Sequence, residues 1–272
     1  MIPLRAGHLA QAHGLSAELR WPYREEDWRF ALELGRGVAA EHEGELVGTA
    51  LWWPYEETFA SCGMIIVKPA HQGRGIGRRL VDDLLRQAQG RTMILNSTVE
   101  GRPLYDRLGF VPFGEVSQHH AVLAQAPATG EAAGIRAVRP RDLDAVRALD
   151  RRASGMGRSR LLDALFAIGR GIVLEREGRI VGYACVRRWG RGVVIGPVVA
   201  KDPAQAKALI ATLAAAHVGE FVRVDVTRDD LSQWLDGIGL PRVDRVASMV
   251  RGDPPRGAPD ATLYALSNQS FG

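Results

Sequence analysis

The sequence predicts an α/β protein made of two similar domains, each a sheet with helices on both faces. Two observations lead to this prediction: the first half of the chain recurs in the second, and strand-like and helix-like segments alternate within each half. Residues 35–38 recur as 169–172, and residues 41–48 recur as 175–182. Each repeat is far longer than a solenoid unit, so the 272 residues contain two copies of one domain.

The predicted elements follow the same order in both copies. A short strand (2–4 and 135–138) leads into a helix, and a hairpin follows with its turn at 43–44 and at 177–178. A central strand, a long helix, another strand, a short helix and a closing strand complete each copy.

The joint between the copies is predicted where the composition becomes small and polar. We expect a first domain over residues 1–124, a linker over 125–134 and a second domain over 135–272.

Residues 64–80 join an apolar strand to a helix through the glycine-rich turn 72–77, QGRGIG. The first turn of a helix has free N–H groups and a partial positive charge, so it accepts an anion. Glycines without a Cβ let a pyrophosphate approach the backbone, and arginines add charge-assisted contacts. The segment therefore predicts a binding site for a phosphorylated cofactor. Its residues of these types are Gly73, Gly75, Gly77, Arg74, Arg78 and Arg79.

Two other glycine-rich loops do not fit this turn. A P-loop requires a Lys-Ser or Lys-Thr pair, and a dinucleotide fingerprint has the spacing Gly-x-Gly-x-x-Gly. Residues 72–77 instead resemble the Gln/Arg-x-x-Gly-x-Gly/Ala signature of the GNAT superfamily of acyl-CoA-dependent N-acyltransferases. Residues 102–110, RPLYDRLGF, resemble the LYxxLGF element of that family. The resemblance covers roughly residues 1–124 and implies a mixed sheet that is splayed open at its centre.

The resemblance also implies a site for acetyl-CoA as acyl donor. The glycine turn would hold the pyrophosphate, the preceding strand would pair with the pantetheine through its backbone, and the next strand would add a polar side chain. The cofactor-binding residues implied are Ile65, Ile66, Val67, Gln72, Gly73, Arg74, Gly75, Ile76, Gly77, Arg78 and Asn96.

Two residues are candidates for catalysis. Tyr105 would act as the general acid that donates a proton or a hydrogen bond to the leaving thiolate. The alternative is a tyrosine that only packs the short helix. Glu56 would act as the base that deprotonates the amine; it could also lie at a solvated hairpin tip, and a chain of waters could replace it. Three aromatic residues either line an acceptor pocket or belong to ordinary packing: Trp21, Tyr23 and Trp28.

The second copy lacks the residues that carry this chemistry. Aligned by sequence, the three turn glycines become Ala206, Ala208 and Ile210, and Tyr105 becomes Leu235. We therefore predict that the second domain keeps the fold without the cofactor motif. The alternative is a second active site with another mode of cofactor binding.

Composition excludes several other functions. The two cysteines form no disulfide framework or metal cluster, which fits a reducing cytoplasm, and no apolar run is long enough to span a membrane. Adjacent His119 and His120 point to opposite faces of a predicted edge or surface strand, so they do not share a metal ion. The net charge of +4 comes from scattered arginines, so no nucleic-acid partner is expected.

The predicted function is an N-acetyltransferase that acts on a primary amine of a small molecule or peptide, as a monomer or homodimer. The alternative is a non-catalytic acyl-CoA sensor or a module that binds a partner, because an intact cofactor motif stands beside a degenerate copy.

Overall fold

The computed structural model describes residues 1–130 and 133–272. The predicted linker, 125–134, includes Glu131 and Ala132, which lie outside the described residues. The strands are β1 (Ile2–Pro3), β2 (Arg36–His42), β3 (Glu45–Tyr55), β4 (Phe59–Val67), β5 (Thr92–Ser97), β6 (Val111–Val122), β7 (Ile135–Ala137), β8 (Arg170–Arg176), β9 (Arg179–Trp189), β10 (Gly192–Ala200), β11 (Phe221–Val226), β12 (Arg242–Arg251) and β13 (Thr262–Ala265). The helices are α1 (Leu9–Glu18), α2 (Glu25–Leu34), α3 (Ile76–Gln87), α4 (Arg102–Arg107), α5 (Leu143–Ser154), α6 (Ser159–Ile168), α7 (Pro203–Ala214) and α8 (Asp229–Gly237).

The strands of both halves form one continuous mixed sheet. Its order among the described strands is β1-β2-β3-β4-β5-β12-β6-β11-β13-β10-β9-β8-β7. The predicted α/β class, with helices packed on a mixed sheet in each half, is confirmed. No described helix is long and apolar enough to cross a membrane.

The two halves exchange their long closing strands at the centre of this sheet. β12, from the second half, pairs antiparallel with β5 of the first half. β6, from the first half, pairs antiparallel with β11 of the second half. The exchanged strands also pair with each other. Each half-sheet is thus completed by a strand of the other, an arrangement that the order of elements in the sequence does not indicate.

The first half of the sheet opens between its parallel strands β4 and β5. They pair only from Phe59 opposite Thr92 to Ser61 opposite Ile94, and beyond this point they diverge. In the second half, β10 and β11 pair only at Val193 and Val194. There β13 occupies the gap between the diverging strands, because it pairs antiparallel with the end of β10.

Each copy has two helices before its hairpin where the sequence predicted one: α1 and α2 in the first copy, α5 and α6 in the second. Pro22 lies in the loop between α1 and α2, and proline disfavours a continuous helix at that point. Trp28 of α2 is fully buried and donates a hydrogen bond from Nε1 to Ser16 Oγ of α1 at 3.1 Å, which fixes the two helices to each other. Burial of such a side chain stabilises a fold by about 1.5–3 kcal/mol.

The prediction of an edge or surface strand for His119 and His120 was wrong. β6 is an interior strand, and His119 is fully buried. Its Nδ1 donates to the Leu240 carbonyl at 2.8 Å, and its Nε2 is hydrogen-bonded to Ser232 Oγ at 2.8 Å. The two histidines do alternate in environment, since His120 is only half-buried. The strand exchange, which local pattern does not indicate, explains the difference.

The alignment of the glycine turn with residues 204–210 was also wrong. Eight residues separate β4 from α3, whereas only Lys201 and Asp202 separate β10 from α7. The second copy therefore lacks the turn altogether, and Ala206, Ala208 and Ile210 are buried within α7.

Candidate active site

A cavity of about 410 Å³ lies at the opening between β4 and β5. Both halves of the chain contribute to its wall, as do the loop after α1 and the segment after β13. The lining residues that the argument uses are Tyr105, Cys62, Trp21, Tyr23, Asn96, Gln118, His120, Trp189, Arg191, Phe221, Arg223, Asp244, Gln269 and Ser270.

The inner edge of β4 is free to pair with an extended ligand. β4 pairs with β3 on one side, with an irregularity opposite residues 49–51, and Met64 has a φ of +50°. On the side facing β5, no described strand pairs with β4 beyond Ser61. The predicted pantetheine-pairing residues Ile65, Ile66 and Val67 lie in this free stretch.

The glycine turn presents an uncapped helix N-terminus. Gly73 and Gly75 have φ values of +75° and +74°, a conformation that favours glycine. No side chain caps α3, and its first main-chain bond inside the helix is from Arg79 N–H to the Gly75 carbonyl at 3.1 Å. Within the described chain, the N–H groups from Gly73 to Arg78 have no main-chain acceptor. These free donors fit a pyrophosphate.

Side chains around the turn add order and charge. Gln72 Nε2 donates to the Val67 carbonyl at 3.0 Å, which ties the turn to the end of β4. Arg74 is exposed, and Arg78 Nε lies 3.5 Å from Asp82 Oδ2 one helical turn away. Both arginines belong to the segment that carries the free N–H groups, where the sequence predicts the pyrophosphate.

The corresponding helix of the second half is already capped. The Asp202 side chain accepts a hydrogen bond from Gln205 N–H at 2.9 Å. Its negative charge occupies the end of α7 where an anion would otherwise bind. Together with β13, which fills the sheet opening, this cap leaves no equivalent of the first site among the described residues.

Tyr105 lies in the cavity with its hydroxyl group free. Its side chain is buried, with its ring 5.8 Å from that of Phe110, and its hydroxyl has no hydrogen-bond partner among the described residues. Burial, with a smaller effect of the Cys62 thiol, raises the pKa of Tyr105 well above its usual value. The phenol therefore stays protonated and can donate a hydrogen bond into the cavity.

Cys62 lines the same cavity but is not suited to nucleophilic attack. Burial raises the pKa of its thiol to about 12, so the thiolate form is scarce near neutral pH.

Asn96 reaches the cavity with its amide group already engaged. Its Nδ2 donates to the Gln269 carbonyl at 2.8 Å, and its Oδ1 accepts from Ser248 Oγ at 2.7 Å. Asn96 thus anchors the segment after β13 against the opening of the sheet.

The structure does not bring Glu56 to the cavity. Glu56 lies in the turn between β3 and β4, and its carboxylate accepts two hydrogen bonds from Arg151 of α5, at 2.8 and 2.7 Å. This ion pair links the two halves. The assignment of Glu56 as base remains a prediction from the sequence.

Of the three aromatic residues named in the sequence analysis, Trp21 and Tyr23 line the cavity, whereas Trp28 belongs to the core.

Sequence reasoning missed the wall that the second half contributes. That wall includes Trp189, Arg191, Phe221 and Asp244. No local signal indicated these residues, because their position depends on the exchanged strands and on the turn between β9 and β10.

Comparisons with known proteins agree with this geometry. A family model described as "Acetyltransferase (GNAT) domain" matches residues 33–112, and a second model of the same description matches residues 146–265. An uncharacterized N-acetyltransferase, YitH, from Bacillus subtilis (strain 168) is 27% identical over 100% of this chain and 98% of its own length. The holothin acyltransferase of Pseudoalteromonas sp. (strain SANK 73390) is 28% identical over 75% of this chain and 70% of its own length.

A solved structure shares the whole fold. A proposed acetyltransferase from Pyrococcus horikoshii superposes with a TM-score of 0.83 at 22% identity, covering 99% of this chain and 94% of that one. The two family models together span most of the chain, one in each half. The chain therefore belongs to the GNAT family of acyl-CoA-dependent acyltransferases and carries two GNAT domains in tandem.

Proposed function

We propose that this protein is an N-acetyltransferase that transfers the acetyl group of acetyl-CoA to a primary amine of a small molecule or peptide. One observation carries the proposal: the free edge of β4 runs from the cavity that contains the free Tyr105 hydroxyl, which Ile65 lines, to the uncapped end of α3, where Gly77 lies close to Val67 and Leu104. Donor binding and proton donation thus meet in one place.

The first domain holds the acyl donor. The N–H groups of the glycine turn and the charges of Arg74 and Arg78 bind the pyrophosphate, and the backbone from Ile65 to Val67 aligns the pantetheine as an added strand. Holding both reactants in line can lower the activation free energy by roughly 7–11 kcal/mol at most. A neutral amine then attacks the thioester carbonyl, and a thiolate leaves.

Tyr105 serves the leaving group. A thiol has an ordinary pKa of about 8.5, so a phenol of raised pKa need not transfer its proton fully. A hydrogen bond from the Tyr105 hydroxyl to the emerging thiolate lowers the barrier. Groups of this kind contribute about 10²–10⁴-fold.

The proton of the attacking amine needs an acceptor. Glu56 is the candidate from sequence, and the cavity offers a second one. Asp244 is the one carboxylate among the lining residues of the described chain. Its Oδ1 accepts from Arg245 N–H at 2.8 Å, which leaves its other oxygen for water or substrate.

The second domain, which we place over residues 135–272 after the catalytic domain 1–124, shapes the acceptor side of the site without binding a donor. The Asp202 cap and the position of β13 support this role. Buried, unpaired Cys62 and Cys185 fit a reducing cytoplasm.

A combined binding and turnover experiment tests the function. Calorimetry measures acetyl-CoA affinity, and a thiol-release assay measures turnover with amino acids, polyamines, aminoglycosides and peptides. We expect binding together with turnover on one acceptor class. Binding without turnover on any amine would favour the alternative, an acyl-CoA sensor or partner-binding module.

A further inference from the structure

The acceptor side of the cavity has an unusual balance of hydrogen-bond donors and acceptors. Trp189 is 3% exposed, and its indole N–H has no partner among the described residues. Such a buried donor is costly unless a ligand or water accepts from it. Trp189 also lines the cavity, so the environment of this buried donor is coupled to the space that the amine substrate would occupy.

His120 is a second donor, and two glutamines fix its orientation. Gln269 Nε2 donates to Gln118 Oε1 at 3.0 Å, so the other end of the Gln118 amide is its donor. That Nε2 donates to His120 Nδ1 at 3.1 Å. Burial, followed by the charges of Arg223 and Arg191, lowers the pKa of His120 and favours the neutral ring. With Nδ1 accepting, the proton of the neutral ring is on Nε2.

Arginine side chains complete this surface. Arg191 lies in the turn between β9 and β10, with its guanidinium carbon 5.9 Å from the centre of the Phe221 ring. The turn is anchored to the first half, because Gly190 N–H donates to Asp27 Oδ2 at 2.8 Å. Arg20, in the loop after α1, also lines the cavity.

Among the charged side chains that line the cavity, counted with their ion-pair partners, one positive charge is in excess. Arg223 donates two hydrogen bonds to buried Asp225, at 2.9 and 2.8 Å, and that pair is neutral. The negative charge of Asp244 offsets one of the two positive charges that remain, those of Arg20 and Arg191. With His120 neutral, one negative charge on a ligand would balance the site.

We propose that the amine acceptor carries a carboxylate on an apolar or aromatic body, and that Arg191 and Arg20 receive this carboxylate. The proposal deepens the N-acetyltransferase function and rests on it. The rings of Trp21, Tyr23, Trp189 and Phe221 supply the apolar wall. Polycationic amines such as polyamines and aminoglycosides meet the excess positive charge and are disfavoured.

Matched acceptors that differ only in the carboxylate test the proposal. Phenylalanine is compared with 2-phenylethylamine, 6-aminohexanoate with hexylamine, and spermidine represents polycations. Binding is followed by tryptophan fluorescence, because two tryptophans line the cavity, and turnover by thiol release. All measurements are made at one mildly alkaline pH, where His120 is neutral whether or not Arg191 is present. We expect the carboxylate member of each pair to bind and react about tenfold or more better.

The variant Arg191→Gln separates a carboxylate contact from a general effect. We expect its KM to rise about tenfold for phenylalanine and not to rise for 2-phenylethylamine. Its affinity for acetyl-CoA should also stay unchanged, which excludes a role for Arg191 in donor binding. Arg188→Gln is the matched control, since exposed Arg188 lies three residues away, outside the cavity, and pairs with Glu220 at 2.8 Å.

Two sets of results overturn the proposal. One is equal or better binding of the amines without a carboxylate, including spermidine, or no binding of any carboxylate-bearing amine. The other is an equal effect of Arg191→Gln on both members of a pair. Carboxylate-dependent binding without any turnover would support this inference while refuting the proposed acetyltransferase function.

Discussion

Among the buried tyrosines of the described chain, Tyr105 differs from Tyr55 and Tyr183 in the environment of its hydroxyl group. Tyr55 bonds to Ser61 and Tyr183 donates to Asp150, whereas the Tyr105 hydroxyl has no protein partner. The Tyr105 hydroxyl is not among the buried unpaired groups of the described chain, so it is accessible from the cavity, where a ligand can accept its hydrogen bond. The sequence predicted this residue, because the LYxxLGF resemblance identifies it directly.

The variant Tyr105→Phe should lower kcat by about 10²-fold while the affinity for acetyl-CoA stays within about twofold. Phenylalanine keeps the ring packing against Phe110 and removes only the proton donor. Steady-state kinetics and calorimetry measure the two effects. Tyr264→Phe, at a buried tyrosine of β13 outside the cavity, is the control. An unchanged kcat would refute the assigned role.

Gly75 is the N-cap of α3, and its substitution tests the anion site. Gly75→Asp places a carboxylate beside the free N–H groups, as Asp202 does in the second half. We expect a loss of acetyl-CoA affinity of about tenfold or more, greater than for neutral Gly75→Asn. Calorimetry measures both.

Gly90→Asp is the matched control for backbone strain. Gly90 has a φ of +87°, and an added Cβ would meet no atom within 4 Å, as at Gly75. Equal losses of affinity for aspartate and asparagine at position 75 would contradict an electrostatic origin.

At the level of elements, the sequence indicated the strand, turn and helix of the donor site because these contacts are local. It also indicated the hairpins, whose turns at Glu43-Gly44 and Glu177-Gly178 have positive φ values. It did not indicate that β13 would lie against β10 in the second half. The strand β13 is only four residues long, and its partner β10 is its neighbour in the folded structure but not in the sequence.

The position of β13 predicts one acyl-CoA site per chain. β13 pairs with Val198, Val199 and Ala200, at the end of β10 that corresponds to the free edge of β4. An added ligand strand cannot bind an edge that is already paired. Calorimetric titration should therefore give a stoichiometry of one, and Gly75→Asp should weaken that single site. A stoichiometry of two would contradict the prediction.

For the whole molecule, the repeat in the sequence revealed the number of domains but not how they combine. The exchange of β6 and β12 depends on pairing between residues more than a hundred positions apart, such as Asn96 with Ser248. Periodicity and motifs are local properties, so they do not encode it. For the same reason, the acceptor wall was missed while the donor site was predicted.

The two halves should not function separately. A fragment of residues 1–124 lacks β12, which pairs with β5, and the segment that carries Gln269 and Ser270. We expect this fragment to aggregate or to show no turnover, because the edge of β5 is left unpaired. Co-expression with residues 135–272 should restore thiol release. Full activity of the first fragment alone would refute this interdependence.

The exchanged strands also bear on how such a chain could arise and change. If the gene for one domain was duplicated and the two domains of the fused chain exchanged their closing strands, each domain depended on the other from that step on. The second copy could then lose its glycine turn, acquire Asp202 and close its cleft with β13. It could not be deleted, because its β12 and its final residues complete the working half. The second domain, which has no acyl-CoA site of its own, would thus be retained because it forms part of the substrate site of the first domain.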